Sequence, residues 1–364
     1  MDFTSLGVPA PLAAALAARG ITEPTEIQRE VIPAACTGEN LIGEAPTGTG
    51  KTLAYLLPAL MRIDPAVRAA QVLVLAPTHE LAMQIAGAAR DLIQAAGLSV
   101  GVQALIGGAN VQRQIDALKK KPALIVGSAP RIVELHRLRK LKLQEVRLCV
   151  LDEFDRLLDK QHSAEVRAVL HLLPRERQML LLSATAAAAA VHAAEELCAL
   201  RIIRAAVQET TCENYYHIVP FRDKIKAVQK LTRRLPIRRG LVFVGRSFDA
   251  EKAAEKLQYE GIRVAALLGG ERRDQRRAAL NAIRTGRVQL LLSTDLAARG
   301  LDIEDVDYVV QVDLPEDVRT YRHRAGRTAR AGKEGTVISL VDAKEVERLK
   351  ALAVRMKLDL KKIN

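Results

Sequence analysis

Short apolar runs alternate with longer stretches of helical periodicity along most of this chain. Uninterrupted apolar runs predict strands that are buried on both faces, and the helical stretches between them are the crossovers that parallel strands need. We therefore predict two α/β domains, each a mostly parallel sheet covered by helices on both faces. The predicted strands are 41–42, 72–76, 123–126, 148–151 and 179–182 in the first domain, and 241–244, 264–268, 288–292, 308–312 and 336–341 in the second.

A polar segment without an apolar period, residues 207–214, separates the two series of runs. The chain has 364 residues, a length that suits two domains of ordinary size. We predict domains at 1–206 and 215–364, with 207–214 as the linker. Residues 1–206 hold 23 basic and 20 acidic residues, and the rest of the chain holds 32 and 22, so the net charges are +3 and +10.

The composition narrows the class of partner. A net charge of +13 permits a polyanion. The chain has 5 Phe, 6 Tyr and no Trp, which disfavours a grip on nucleic acid by base stacking and favours contacts with its phosphate backbone. No apolar run approaches the roughly 18 residues of a membrane-spanning helix, and four cysteines without a CxxC pair predict free thiols in a reducing compartment. We expect a cytoplasmic protein with no membrane partner.

The strongest chemical signal is a phosphate-binding loop at residues 45–52, which read Ala-Pro-Thr-Gly-Thr-Gly-Lys-Thr between a predicted strand and a predicted helix. Glycines let backbone N–H groups turn toward phosphates, and the helix N-terminus adds the positive end of its dipole. Ala45 stands where the strict pattern has glycine. We expect Thr47, Gly48, Thr49 and Gly50 to surround the phosphates of ATP, Lys51 to reach the β- and γ-phosphates, and Thr52 to ligate Mg²⁺.

Two carboxylates follow the predicted strand 148–151. Asp152 would lie at the carboxyl end of that strand, where Mg²⁺ would sit beside the loop, partly through water. Glu153 could orient or deprotonate an attacking water. The alternative is a solvated acidic turn, which the nearby phosphate loop disfavours.

Residues 323–330 read His-Arg-Ala-Gly-Arg-Thr-Ala-Arg. Arginines three residues apart share one face of a helix. Arg327 and Arg330 could therefore act on a γ-phosphate as arginine fingers when the two domains close. Taken alone, the segment is also consistent with a solvated basic face.

Together these motifs resemble the DEAD-box RNA helicases of superfamily 2, over essentially the full chain. The resemblance implies two tandem RecA-like domains. The matching segments are residues 20–28 with Phe3 upstream (Q motif), 45–52 (I), 77–82 (Ia), 107–108 (GG), 152–155 (II), 183–185 (III), 242–244 (IV), 293–303 (V) and 323–330 (VI).

The resemblance implies a role for each matching residue. Gln28 would read the adenine edge, Phe3 would pack on the adenine ring, and Asp302 would contact the ribose. Ser183, Thr185, Asp155 and His323 would couple the nucleotide to domain closure. The residues expected to contact RNA are Pro77, Thr78, Gly108, Arg131, Arg277 and Thr294. Phe3 is also consistent with a core anchor, and Arg131 and Arg277 with ordinary surface charges.

The implied activity is ATP-dependent local unwinding of RNA, with ATP and Mg²⁺ as cofactors. The protein would bind the sugar-phosphate backbone of the RNA without sequence preference. Residues 105–111, with the basic segment through Lys121, resemble short bacterial members associated with large ribosomal subunit assembly. Ribosomal RNA in large-subunit assembly is therefore an expected target. We also expect a monomer. One alternative is a nucleotide-gated RNA clamp or scaffold with weak unwinding. Another is a DNA-directed ATPase of the same superfamily, which the Gln28 motif and the Asp-Glu-x-Asp form disfavour.

Four positions depart from the family pattern. His79 replaces arginine in motif Ia, so a permanent charge becomes a group that is largely neutral near pH 7. Phe154 replaces alanine in motif II, Pro130 lies in a Ser-Ala-Pro-Arg segment where Thr-Pro-Gly-Arg is usual, and Gly269 stands where histidine is frequent. Because most of these lie in RNA-facing motifs, we expect intact ATPase chemistry with weaker coupling to RNA.

Overall fold

The computed structural model divides the chain into two compact units, Met1–Val207 and Gln208–Asn364. It describes residues 2–46, 48–185, 187–205, 212–245, 249–267, 273–295, 306–329 and 334–363, with the backbone alone at 273, 274 and 319. Three residues of the expected linker, Cys212, Glu213 and Asn214, belong to a strand of the second unit. The linker prediction extended into them because the strand is polar.

The N-terminal unit contains a seven-stranded sheet in the order β3-β4-β2-β5-β6-β1-β7 among the described residues, and every pairing in it is parallel. Its strands are β1 (Leu41–Glu44), β2 (Val72–Leu75), β3 (Val102–Leu105), β4 (Leu124–Gly127), β5 (Leu148–Asp152), β6 (Gln178–Ser183) and β7 (Arg201–Arg204). Its helices are α1 (Ala10–Ala17), α2 (Glu26–Cys36), α3 (Lys51–Arg62), α4 (His79–Ala95), α5 (Val111–Leu118), α6 (Ala129–Arg137), α7 (Phe154–Leu157), α8 (Ser163–Leu172) and α9 (Ala188–Glu195), with a 3₁₀ turn at Thr4–Leu6.

Helices cover both faces of this sheet, as the uninterrupted apolar runs predict. Successive side chains of a strand point to opposite faces. Val72 and Val74 accordingly belong to one buried cluster, and Leu73 and Leu75 belong to the other. The sheet therefore has a hydrophobic core on each side.

The C-terminal unit repeats this architecture in the order β10-β11-β9-β12-β13-β8-β14, again with parallel pairings. Numbered from its own first strand, the order is the same as in the N-terminal unit. Its strands are β8 (Cys212–Ile218), β9 (Gly240–Phe243), β10 (Val264–Leu267), β11 (Leu290–Ser293), β12 (Tyr308–Gln311), β13 (Gly335–Val341) and β14 (Leu360–Lys362). Its described helices are α10 (Lys224–Arg234), α11 (Ala250–Tyr259), α12 (Arg273–Arg284), α13 (Val318–Ala325) and α14 (Val346–Met356), with a 3₁₀ turn at Phe221–Asp223.

Each of the ten predicted apolar runs forms a strand. The pattern did not predict β3, β7, β8 or β14. Three of these strands, β3, β7 and β14, lie at sheet edges, and β7 and β14 also carry charged residues. Edge strands bury less surface and so lack a continuous apolar run. None of the helices in the described part of the chain has the length and apolar composition that crossing a bilayer requires.

The expectation that the motif VI arginines share a helix face is wrong for Arg327. The helix α13 ends at Ala325, and Gly326 is its C-terminal cap. Arg327 therefore lies beyond the helix, and Arg330 lies outside the described residues.

Candidate functional site

The phosphate loop connects β1 to α3 at the carboxyl edge of the N-terminal sheet. Gly48 and Gly50 both have φ near 82°, a left-handed conformation that glycine adopts without strain. Lys51 Nζ donates to the carbonyl oxygens of Ala45 at 2.5 Å and Pro46 at 2.7 Å, so its amine lies over the loop. Thr49 Oγ1 donates to the same Pro46 oxygen at 2.7 Å. Thr47 lies outside the described residues.

The Q motif supports this loop from the start of α2. Thr25 and Gln28 form a capping box, in which Gln28 Oε1 accepts from Thr25 N–H at 2.9 Å. Gln28 Nε2 donates to Gly50 O at 3.0 Å, and Thr25 Oγ1 donates to Thr49 O at 2.7 Å. Gln28 is buried and both ends of its amide bond the protein. This loop-holding role was missed by the sequence analysis, and recognition of adenine by Gln28 stays a prediction.

Phe3 is 2% exposed and belongs to the same buried cluster as Leu16 and Ile27. This is the position of a core anchor, the alternative that the sequence left open. Packing of Phe3 on an adenine ring stays a prediction.

Asp152 ends β5 and is 5% exposed. Its Oδ2 accepts from Tyr55 Oη at 2.8 Å, and its Oδ1 accepts from Glu153 N–H at 2.9 Å. Burial, and next the charge of Glu153, raise the pKa of Asp152 to about 6, although Lys51 and the hydrogen bonds oppose the shift. The cost of burying this carboxylate is thus only partly offset by its neighbours.

Tyr55 is a candidate site residue that the sequence analysis missed. It lies on α3, three residues after Thr52, and is fully buried. Burial and the adjacent Asp152 raise its pKa well above the usual value, so it remains a hydroxyl donor. Tyr55 lies one turn after Thr52 on α3 and bonds Asp152, so it links the helix that carries one predicted Mg²⁺ ligand to the other predicted ligand. Its place in an apolar helix was the available signal.

The donor set of Thr52 and Asp152 fits Mg²⁺. No group of three or more His, Cys, Asp or Glu side chains that could hold a metal occurs in the described part of the chain. Mg²⁺ does not need one, since it is usually held by one or two carboxylates together with substrate phosphates and water. A hydroxyl and a carboxylate beside a phosphate loop are therefore sufficient protein ligands.

Motifs II and III meet beside Asp152. Glu153 has φ of 52°, an uncommon conformation for a residue with a side chain, and pairs with Arg156 at 3.0 Å. Thr185 Oγ1 donates to Asp155 Oδ2 at 3.2 Å. Ser183 Oγ donates to Thr185 O at 2.8 Å and accepts from Thr185 N–H at 3.1 Å. The structure thus brings together the coupling residues predicted in this unit.

Ser183 also links motif III to the phosphate loop, because Ala45 N–H donates to Ser183 O at 3.1 Å. Phe154, the departure in motif II, is fully buried in the same cluster as Leu181 and Ala190. Its ring is therefore accommodated in the core.

The expected RNA contacts of the N-terminal unit gather around one cavity of about 400 Å³. Its lining includes Pro77, His79, Gly107, Pro130 and Arg131. Thr78, which caps α4, and Gly108, with φ of 67°, are neighbours of lining residues in the chain.

The structure defines the surroundings of two residues of this cavity, Arg131 and His79. Arg131 is 7% exposed and pairs with Glu134 at 3.0 Å, so it is not an ordinary surface charge. Its Nη1 is buried and has no hydrogen-bond partner among the described residues. The His79 ring lies against Gly107, where an added Cβ would be 3.1 Å from two ring atoms. The substituted histidine therefore occupies the surface expected to contact RNA.

In the C-terminal unit, motifs V and VI are joined by Arg324, another residue that the sequence analysis missed. Arg324 is 3% exposed, and its Nε and Nη2 both donate to the Asp295 carboxylate at 2.7 Å. Its Nη1 donates to Asp313 O at 2.6 Å, and its guanidinium lies 5.0 Å from the centre of the Phe243 ring. Such a bidentate pair is specific in geometry, so Arg324 holds the two motifs in register.

The other predicted residues of this unit are placed as follows. Thr294 follows β11 next to Asp295, and Arg277 is exposed on α12. His323 and Arg327 are half-buried at the end of α13 and just after it. Asp302, Arg330 and Gly269 lie outside the described residues.

The fold and the site define a protein of two tandem RecA-like units with a phosphate loop in the first. Family comparisons agree: residues 25–193 match the DEAD/DEAH box helicase model, and residues 223–332 match the helicase conserved C-terminal domain. The chain belongs to the DEAD-box ATP-dependent RNA helicases, and it is an enzyme of that family.

Individual relatives support this assignment. The chain is 41% identical to the DEAD-box ATP-dependent RNA helicase CshC of Bacillus cereus, over 93% of this chain and 87% of that protein. It is 40% identical to the probable ATP-dependent RNA helicase YfmL of Bacillus subtilis, over 94% and 91%. It is 35% identical to the ATP-dependent rRNA helicase RRP3 of Encephalitozoon cuniculi, over 97% and 88%. Saccharomyces cerevisiae Dbp5 bound to RNA and ADP BeF3 superposes with a TM-score of 0.90 at 28% identity, over 100% of this chain and 95% of that one.

The contact between Tyr55 and Asp152 predicts the effect of Tyr55→Phe. The variant keeps the ring but removes a hydrogen bond to a charged group, a bond worth about 1.5–3 kcal/mol. We expect the Mg²⁺ concentration for half-maximal ATP hydrolysis to rise about tenfold, with a smaller change in kcat at saturating Mg²⁺. Tyr308→Phe, at a half-buried tyrosine of the C-terminal unit, is the matched control. An unchanged Mg²⁺ dependence in Tyr55→Phe would show that the hydroxyl does not position Asp152.

The raised pKa of Asp152 predicts a pH-dependent stability. Between about pH 4 and pH 6 the folded state binds a proton that the unfolded state has released, so wild-type stability falls as pH rises through this window. Asp152→Asn lacks this loss. The quantity to compare is the unfolding free energy of Asp152→Asn minus that of wild type, both measured in EDTA. We expect this difference to increase by about 3 kcal/mol from pH 4 to pH 8.

Urea denaturation of the N-terminal unit at several pH values measures this difference. Asp91→Asn, at an exposed carboxylate, is the control and should show no such trend. A pH-independent difference for Asp152→Asn would mean that the folded protein does not raise the pKa of Asp152.

Proposed function

We propose that this protein hydrolyses ATP with Mg²⁺ and uses the cycle to separate short RNA duplexes without sequence preference. The observation that carries this proposal is a set of contacts around the phosphate loop. Gln28 bonds the loop at Gly50, Tyr55 of the helix that follows the loop bonds Asp152, and Thr185 bonds Asp155. The similar structure of Dbp5, which was solved bound to RNA and ADP BeF3, supports nucleotide and RNA binding by this fold.

Within this proposal, each residue has a defined task. Lys51 exchanges the Ala45 and Pro46 carbonyls for the β- and γ-phosphates, and Thr52 with Asp152 holds Mg²⁺, which neutralises phosphate charge when bound. Glu153, set on a sharp turn after Asp152, orients the attacking water. Arg327 and Arg330 contribute positive charge to the γ-phosphate.

The RNA is held by its backbone. Pro77, Thr78, Gly108 and Arg131 lie in or next to the cavity beside His79, and Arg277 and Thr294 belong to the C-terminal unit. Recognition of 2′-hydroxyl groups would select RNA over DNA. We further propose that the protein acts on ribosomal RNA, as the name of the relative RRP3 suggests, and that it does so as a cytoplasmic monomer.

A strand-release assay tests unwinding. We expect wild type with ATP and Mg²⁺ to separate an RNA duplex of about 10 base pairs, a length that local opening can melt, and to leave a DNA duplex of the same sequence intact. Lys51→Ala is the control for nucleotide dependence. ATP-dependent RNA binding without strand release would instead identify a clamp, and equal activity on both duplexes would identify a nucleic-acid ATPase without RNA preference.

Crosslinking and sequencing of RNA bound to Glu153→Gln tests the target. The amide keeps the side-chain volume but cannot accept a proton from water, so the variant should retain the ATP-bound complex on its RNA. We expect enrichment of one region of ribosomal RNA over the same experiment with Lys51→Ala. Uniform coverage of the transcriptome would contradict a role in ribosome assembly and indicate a general RNA chaperone.

A further inference from the structure

Arginines precede three neighbouring strands at the amino edge of the C-terminal sheet. Arg239 comes directly before β9, Arg263 directly before β10, and Arg287 three residues before β11. The sheet order β10-β11-β9 makes these strands neighbours, so their starting points lie side by side. Arg238, Arg263 and Arg287 are exposed, and Arg239 is half-buried.

These arginines surround one turn of the chain, residues 284–287 at the end of α12. Arg263 Nη1 donates to Gly286 O at 3.0 Å, and Arg239 Nη2 donates to Arg284 O at 3.4 Å. Arg287 Nε donates to Thr285 Oγ1 at 3.4 Å. Each contact uses one donor of a guanidinium group that has five, so it orients the group and leaves further donors available.

The positive charge of this edge is not neutralised by carboxylates that the structure describes. Within the described ranges, Arg238, Arg263 and Arg287 take part in no ion pair. The nearby Asp307 uses its Oδ2 on the backbone N–H groups of Arg238 and Arg239, at 2.9 and 3.0 Å. Glu260, which follows Tyr259, pairs with Arg233 at 3.5 Å. The acidic residues that directly precede strands, Asp307 before β12 and Glu334 before β13, lie under the other half of the sheet. The residues that precede the strands are therefore basic under β10, β11 and β9 and acidic under β12 and β13.

A second observation beside these arginines is the exposed ring of Tyr259. This residue ends α11 and is 92% exposed, more than any other large hydrophobic side chain that the structure describes. Gln258 Nε2 donates to Val264 O at 2.9 Å, which fixes the end of α11 beside the start of β10 and Arg263. Tyr259 contributes nothing to the core, although the chain has few aromatic residues. Arginines around an exposed aromatic ring are the combination with which proteins bind single strands, by phosphate contacts and base stacking.

We propose that Arg238, Tyr259, Arg263 and Arg287 form a second RNA-binding surface, called here the arginine edge, for a single strand outside the helicase motifs. Thr294 and Asp295 follow the carboxyl end of β11, and Arg324 of α13 bonds Asp295 there. Four-residue strands with a rise of about 3.3 Å per residue separate the two edges by about 13 Å. One nucleotide cannot contact both, so the arginine edge binds RNA that flanks the segment in the helicase motifs. This inference rests on RNA being the substrate.

Fluorescence anisotropy with the full chain, ATP and Mg²⁺ tests the proposal. The probes are oligouridylates of about 10 and about 30 nucleotides, chosen to be near one binding site and well beyond it. The test variant combines Arg238→Gln, Arg263→Gln and Arg287→Gln. The control combines Lys226→Gln, Lys344→Gln and Arg355→Gln, which remove the same charge from exposed positions elsewhere in this unit. Tyr259→Ala is measured separately.

We expect wild type to bind the long probe about tenfold more tightly than the short one, and the test variant to lose that gain while keeping short-probe affinity and ATP hydrolysis. Three lost phosphate contacts should lower the salt dependence of long-probe binding, the slope of log K against log salt, by about 2. Tyr259→Ala should lose part of the gain, because stacking adds affinity with single strands. The control variant should behave as wild type.

Three results would overturn the proposal, and each is distinct from failure of the proposed function. Equal affinity of wild type for both probes would show that no flanking strand is bound. Equal losses in the test and control variants would show a general charge effect. Arginine-dependent binding of polyglutamate in place of the long RNA would identify an acidic protein partner. Absence of ATP-dependent binding to the short probe would instead refute RNA as the substrate of the helicase motifs.

Discussion

The candidate nucleotide site of the N-terminal unit depends on the burial of one carboxylate. Asp152 must lose most of its hydration at the end of β5, and a buried charge is costly unless other groups bond it. Tyr55 and the Glu153 N–H supply two hydrogen bonds, yet the pKa of Asp152 still rises to about 6. The site is therefore built to gain when a cation comes close to this group. A divalent ion bound with nucleotide phosphates is the partner that this arrangement favours.

The strand order makes the arrangement possible. In the N-terminal sheet β5, β6 and β1 are consecutive neighbours, and the functional segments follow their carboxyl ends. Asp152, Ser183 and the phosphate loop therefore meet although they are far apart in sequence. The backbone bond from Ala45 to Ser183 and the capping box of Thr25 and Gln28 then fix the loop from two sides. The C-terminal sheet has the same order but buries a cation at its carboxyl edge, where Arg324 is held by Asp295.

Pattern and motif spacing predicted the larger part of the fold, because buried parallel strands need continuous apolar runs. Motif spacing also identified Lys51, Asp152 and Thr185 as candidate site residues, and the structure brings them to one edge of the sheet; their roles stay predictions. Tyr55 and Arg324 could not be assigned in this way. A tyrosine in an apolar helix and an arginine in a basic segment gain their roles only from partners that the folded sheet supplies. Edge strands such as β7 were not predicted by the apolar pattern, for the related reason that they bury little surface.

The most direct test of this account is a crystal structure of the full chain with Mg²⁺ and a nonhydrolysable ATP analogue. The account predicts that Lys51 Nζ leaves the carbonyl oxygens of Ala45 and Pro46 for the phosphates. It also predicts that Asp152 contacts the metal directly or through water while Tyr55 still donates to it. A bound nucleotide with Lys51 still on the two carbonyls, or a metal remote from Asp152, would contradict it.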